Sequence, residues 1–194
     1  MTVASTEQRR KHYDTFVTNI AALCHQAGIR ADLSSGLGRP VIECSRLHRH
    51  LTSLQAGHTG KRAHYTVASL IALNGSEARP SQPTAVSNNH AAATQRSWYT
   101  RPNLGTTLAH SLTRGLISNS RAHSCLETFV RLDDEQLHPR LPGLITYLGP
   151  GALTDWAVLL ADLAWWDYDR NAIGYRWQEA FYLTLDRQAE DDVQ

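Results

Sequence analysis

Residues 154–182, TDWAVLLADLAWWDYDRNAIGYRWQEAFY, decide the fold class, because Trp156, Trp166 and Trp177 fall there on helical spacing. Thr154 is placed to cap a helix whose first turn carries Asp155, a carboxylate suited to the positive end of the helix dipole. Trp156, Leu159, Leu160, Leu163 and Trp166 then draw one wide apolar stripe, the signature of a helix packed on a core. After a turn at Asp167 to Arg170, a second helix carries Ile173, Trp177, Ala180, Phe181 and Leu185 inward. The two are expected to close on each other as an antiparallel pair. Trp165 is rotated one helical step off the stripe and is the candidate protein-interface residue.

The same period recurs upstream. From Ser5, the residues Tyr13, Phe16, Val17, Ile20, Leu23 and Cys24 read as a helix that Gly28 ends. Gly36, Gly38 and Pro40 break the short basic element that follows, and residues 43–54 and 62–73 read as two further helices. Residues 74–103 hold three prolines and almost no aliphatic periodicity, so they bury too little to offset their ordering entropy. Beyond them, Leu104, Leu108 and Leu112 mark one helix, and Ala122, Leu126, Phe129 and Val130 another. Asp133 caps a turn with Asp134 and Glu135 at its positive end, after which Pro139 and Pro142 are assigned to the first turn of a further helix. The expected architecture is all-α: an N-terminal helical bundle over 1–74, a mobile linker over 75–102, and a C-terminal helical bundle over 103–194.

The 194 residues, 42% of them hydrophobic, suffice for a real core. No run approaches the roughly 18 apolar residues of a membrane span, and the polar start is no signal peptide, so a cytoplasmic protein without membrane contact is expected. Cys24, Cys44 and Cys125 fit neither a disulfide framework nor a zinc knuckle.

Ten histidines invite a metal, most densely in RLHRH at 46–50. On a helix, however, His48 and His50 diverge, and the Cys44/His48 pair has no second pair at ligand spacing. No metal and no cofactor are expected. Asp133, Asp134 and Glu135 fan around a helix instead of converging, which argues against a metal-dependent nuclease. Phosphate-binding and nucleophile-elbow motifs are missing, so the sequence argues for no enzyme.

The net charge of +1 hides an asymmetry. Through residue 131 there are fifteen Lys and Arg against six Asp and Glu; beyond it, four against twelve. Seventeen of the nineteen cations are arginines, whose planar fork suits phosphate. Arg30, Arg39, Arg46, Arg49, Lys61, Arg62, Arg101, Arg114, Arg121 and Arg131 let each helix of the basic region place one or two cations on a common surface. This is the footprint of sequence-independent backbone binding. A helical protein-interaction adaptor with no direct nucleic-acid role is the alternative.

The order and spacing of NLGTTLAHSL (103–112), SRAHSCLETFVRLD (120–133), DWAVLLADLAWWD (155–167) and RWQEAFY (176–182), with RADLSSGLGRP (30–40), resemble the CasB family, the small subunit of the type I-E CRISPR complex Cascade. The resemblance covers about two-thirds of the chain. It implies an all-helical, non-enzymatic structural subunit of two packed bundles. Such a subunit stabilises the assembly and its R-loop through contacts to crRNA, target DNA and the displaced strand. It also implies backbone and large Cascade subunits as partners, together with a second copy of the chain. Arg121 and Arg131 bracket a helix at basic positions of the family, and Arg30 and Arg39 bracket the short basic element. Ser34, Ser35, Thr106, Pro142 and Gly143 stand where relatives often carry cations.

Overall fold

A computed structural model describes residues 5–74, 98–149, 152 and 154–191, and among them the architecture is nine α-helices with no strand. The helices are α1 (Thr6–Leu23), α2 (Ala27–Ser34), α3 (Ser45–Gln55), α4 (Lys61–Asn74), α5 (Leu104–Thr113), α6 (Asn119–Phe129), α7 (Asp134–Leu148), α8 (Trp156–Ala164) and α9 (Trp166–Asp191). Short 3-10 turns at Val41–Glu43 and Trp98–Thr100 lead into α3 and α5. The expected linker at 75–102 lies, through residue 97, outside the described residues.

Local chemistry sets the helix starts. Ser5 and Gln8 form a reciprocal capping box on α1. Asn103, Ser118 and Asp133 cap α5, α6 and α7 with their side-chain oxygens. Three expectations change. Asp155, not Thr154, caps α8, accepting from the amides of Ala157 and Val158 at 3.1 Å each. Gly28 does not end a helix but lies inside α2, and the break falls at 24–26. Pro139 and Pro142 sit in the interior of α7, because the helix already begins at Asp134. Pro142 has no N–H to give the carbonyl of His138, and there the backbone of Gly38 packs so closely that any side chain would strike it.

Helix packing also departs from the expected antiparallel pair. α8 lies against α1 and α4, and α9 lies mainly against α5. Gly105 makes the α5–α9 approach tight, since a Cβ there would meet the carbonyl of Trp177. What joins α8 to α9 is polar. Buried Asp162 of α8 accepts from Trp177 Nε1 at 2.7 Å and Arg176 Nη2 at 2.9 Å. Trp166 stacks on Trp177 at 4.7 Å between centroids and donates its own Nε1 to the Leu132 carbonyl, so both buried indoles keep a hydrogen-bond partner. The apolar stripe of the opening stretch is buried as its spacing predicts: Trp156, Leu159, Leu160, Leu163 and Trp166 are each at most 3% exposed. One apolar core therefore runs from α1 and α4 through α7 and α8 to α5, α6 and α9.

Candidate nucleic-acid interface

Burial of one face of α3 fixes what its other face offers. Leu47, Leu51 and Gln55 point inward at steps of four, which turns Arg46 and Arg49 outward together, about 4.5 Å apart along the axis. Arg30 on the neighbouring α2 is exposed, as is Arg39 beyond it. Asp32 lies among them, bonded to His50 Nε2 at 3.1 Å and lying 4.0 Å from Arg49 Nε. The His50 hydrogen bond, with Arg49 and Arg46 nearby, holds the Asp32 carboxyl below its ordinary range. Arg49 remains 66% exposed, and a contact of that length leaves most of its fork facing solvent.

Arg140 extends this surface. The backbone contact between Gly38 and His138–Pro139 puts the exposed Arg39 and Arg140 on either side of one junction between the α2–α3 segment and α7. The sequence reading missed Arg140, although its place between the inward-facing Leu137, Leu141 and Leu144 marked it as an outer position. Ser34 and Ser35 turn their hydroxyls back to the carbonyls of Ala31 and Asp32.

A second basic group surrounds α6. Arg121 lies in its first turn, with the guanidinium 5.9 Å from the Tyr147 ring, and Arg131 follows its last turn, about 15 Å further on. Both are exposed, as are Arg114 after α5 and Lys61 at the start of α4.

Two of the sequence candidates are committed inside the molecule. Arg62 is only 14% exposed and pairs with Asp134 at 3.2 Å and Glu135 at 2.7 Å. Asp134 also accepts from the fully buried His138, whose other ring nitrogen meets the Thr66 hydroxyl at 2.7 Å. Burial would raise the Asp134 carboxyl, but His138 and Arg62 outweigh it and hold it low. The network ties α4 to α7.

Arg101 makes the denser set of contacts. Its Nε and Nη2 each meet one oxygen of Asp155 at 2.8 Å, its Nη1 meets Asp14 at 2.8 Å, and its plane lies 4.5 Å over Trp98. Asp155 is 2% exposed. Arg101 thus commits Nε, Nη1 and Nη2 to carboxylates, whereas Arg62 makes both of its pairs through Nη1 and keeps a buried Nε without a hydrogen-bond partner among the described residues; both guanidinium groups are engaged within the molecule instead of standing open on the surface like Arg46 or Arg121.

The carboxylates weighed as nuclease ligands have structural tasks as well: Asp133 caps α7 through the Gln136 amide, while Asp134 and Glu135 hold Arg62. His48 bonds the Tyr65 hydroxyl at 2.7 Å, and Cys44 Sγ points to the carbonyl of Pro40 at 3.4 Å. Among the described residues, no group of three or more His, Cys, Asp or Glu side chains is placed to hold a metal ion. Trp165 is half-buried; Arg9 covers its ring at 4.9 Å and Tyr168 meets it at 5.8 Å. No described helix is long and apolar enough to cross a membrane.

The family model described as CRISPR-associated protein Cse2 matches residues 29–182. A search of curated proteins gives no match. Among solved structures, a chain of a "CRISPR RNA-guided surveillance complex" is 25% identical with a TM-score of 0.75, over 95% of this chain and 99% of that one. A chain of such a complex in a pre-nicking state is 24% identical at a TM-score of 0.75, over 94% and 98%. The crystal structure of M. ruber CasB is 23% identical at a TM-score of 0.58, over 83% and 87%; these last two show a shared fold.

Proposed function

From the premise that this chain belongs to the CRISPR-associated Cse2 family, we propose that it is a non-enzymatic structural subunit of an RNA-guided surveillance complex. In this reading it stabilises the assembly and its R-loop. The observation that carries the proposal is the near end-to-end likeness to a surveillance-complex chain at a TM-score of 0.75. The exposed arginines of α2–α3 and α6 supply the chemistry. Guanidinium groups on rigid helices meet sugar-phosphate chains without reading bases, as a subunit serving any guide sequence requires. crRNA, target DNA and the displaced strand are the proposed nucleic acids. Backbone and large subunits and a second copy of the chain are the proposed protein partners, in the cytoplasm. Arg30, Arg39, Arg46, Arg49, Arg121 and Arg131 are the proposed contacts, with Lys61, Arg114 and Arg140 beside them.

Salt dependence tests this. Affinity for single-stranded nucleic acid should fall linearly with log salt. Replacing Arg46 and Arg49, or Arg121 and Arg131, by Ala should lower the slope by about 1.4 per pair, with helix content unchanged by circular dichroism. A slope that neither pair alters rejects both patches. The measurement is made at low salt, or in the assembled complex, where many weak contacts act in line.

A further inference from the structure

One helix face is left without a task by the arginine surfaces. Beyond the non-helical Asp169, α9 runs regularly, with Ile173, Trp177 and Phe181 turned into the core. Its opposite side presents Tyr175, Glu179, Tyr182, Asp186 and Glu190, which fall within about 80° of one another on a helical projection. All five are exposed, Tyr175 by 64% and Tyr182 by 47%, the latter with one side of its ring 5.8 Å from His123 of α6. No cation falls within that arc, although the exposed Arg187 borders it beside Asp186. The nearby Arg176 turns inward to Asp162, and no ion pair to Glu179, Asp186 or Glu190 forms among the described residues.

An exposed tyrosine is a large, stiff side chain with a π face and a hydroxyl, and it loses little entropy when it docks. Tyrosine and arginine are also the residues that dominate binding energy at interfaces. Three carboxylates at the same site repel phosphate, which removes nucleic acid as the occupant. They favour a cationic protein surface, whose guanidinium groups pair with carboxylates and stack on tyrosine faces.

We propose that this face of α9 is a docking site for an arginine-bearing surface of another polypeptide of the surveillance complex. The inference rests on the functional reading above and adds to it an anionic, tyrosine-centred protein contact. The chain would then carry separate surfaces for its two kinds of partner, with cationic helices toward nucleic acid and α9 toward protein.

The probe is a surveillance complex assembled without this subunit, titrated with the full-length chain. Tyr175→Ala with Tyr182→Ala is expected to weaken incorporation ten- to hundredfold, and Glu179→Lys with Asp186→Lys at least as much. Neither pair should lower the affinity of the free chain for single-stranded DNA, and the lysine pair should raise it. Both variants are exposed substitutions, and circular dichroism checks that they fold. A photo-crosslinking residue at position 175 should mark an arginine-containing peptide of a different polypeptide. Marking of nucleic acid or of a second copy overturns the assignment. If wild type and variants enter the complex equally, the docking face is refuted and the functional reading stands. If wild type does not enter at all, both are refuted.

Discussion

Arg101→Ala is expected to destabilise the protein by about 3–5 kcal/mol, because it strands a buried carboxylate. Asp155 is 2% exposed and accepts two guanidinium bonds at 2.8 Å and the bonds of two amides in the first turn of α8. Removing Arg101 takes away the cation and leaves the burial. It also cuts the tie to Asp14 on α1 and the cover over Trp98, so the segment leading into α5 loses its anchor. For a chain of 194 residues the change corresponds to a fall in Tm of roughly 10 °C. Arg101→Lys should recover little, since a single ammonium cannot span both oxygens of Asp155 and reach Asp14. Asp155→Asn keeps a capping oxygen without the charge. The double variant should therefore be at least about 1 kcal/mol more stable than the sum of the single losses. Urea titration of the four proteins measures the cycle. A variant that unfolds like wild type but binds DNA with a weaker salt slope would return Arg101 to the nucleic-acid surface.

Arg101 also shows where sequence reasoning stops. Its spacing and charge matched those of Arg46 or Arg121, and what separates them is a carboxylate 54 positions away. Arg62 is the same case, with its partner Asp134 72 positions distant. The opposite charge of the two halves of the chain is therefore partly internal pairing, visible only once the helices are placed. Helical periodicity reports local geometry, so the stripes of α1, α4 and α8 were legible, whereas the partner of each stripe was not. That is why α8 and α9, adjacent in sequence and both amphipathic, were expected to close on each other. The backbone approach that Gly105 permits lays α9 on α5 instead. The start of α8 was legible to within a residue, whereas the stop read at Gly28 lies four residues beyond the Cys24 cap of α1. Asp155 took the place of Thr154 because its carboxylate serves the helix amides and Arg101 together.

A loss of stability as pH falls from 6.5 toward 4 is expected from three histidines that share one site. His64 on α4 is fully buried, and its Nδ1 faces the Gly60 carbonyl at 2.8 Å, which fixes the proton on that nitrogen. Its Nε2 must then accept from His12 Nε2–H at 2.9 Å, and His12 in turn stacks on His58 at 3.3 Å between centroids. Tyr13 and Phe16 of α1 pack their rings against His64 and close the site. Burial, assisted for His12 by the His58 and His64 rings, lowers both His12 and His64 to about 4. Their folded values lie below the unfolded 6.5, so the contribution is complete above pH 6.5 and lost as protons bind the unfolded chain first. For His64 the loss is about 2 kcal/mol at pH 5. His12 is partly exposed and adds less. Asp162 works in the opposite direction. Burial raises it to about 6, so between that value and its ordinary 3.8 the folded state takes up a proton and gains about 1 kcal/mol at pH 5. The wild-type curve is therefore shallower than the histidines alone would make it. Subtracting the urea-derived stability of His64→Gln from that of wild type, between pH 7.5 and 5, isolates the buried ring and should show the 2 kcal/mol decline. Asp162→Asn should instead steepen the acid loss. A flat difference curve for His64→Gln would mean that the ring is solvated or charged in the folded protein, against the hydrogen bonds that hold it.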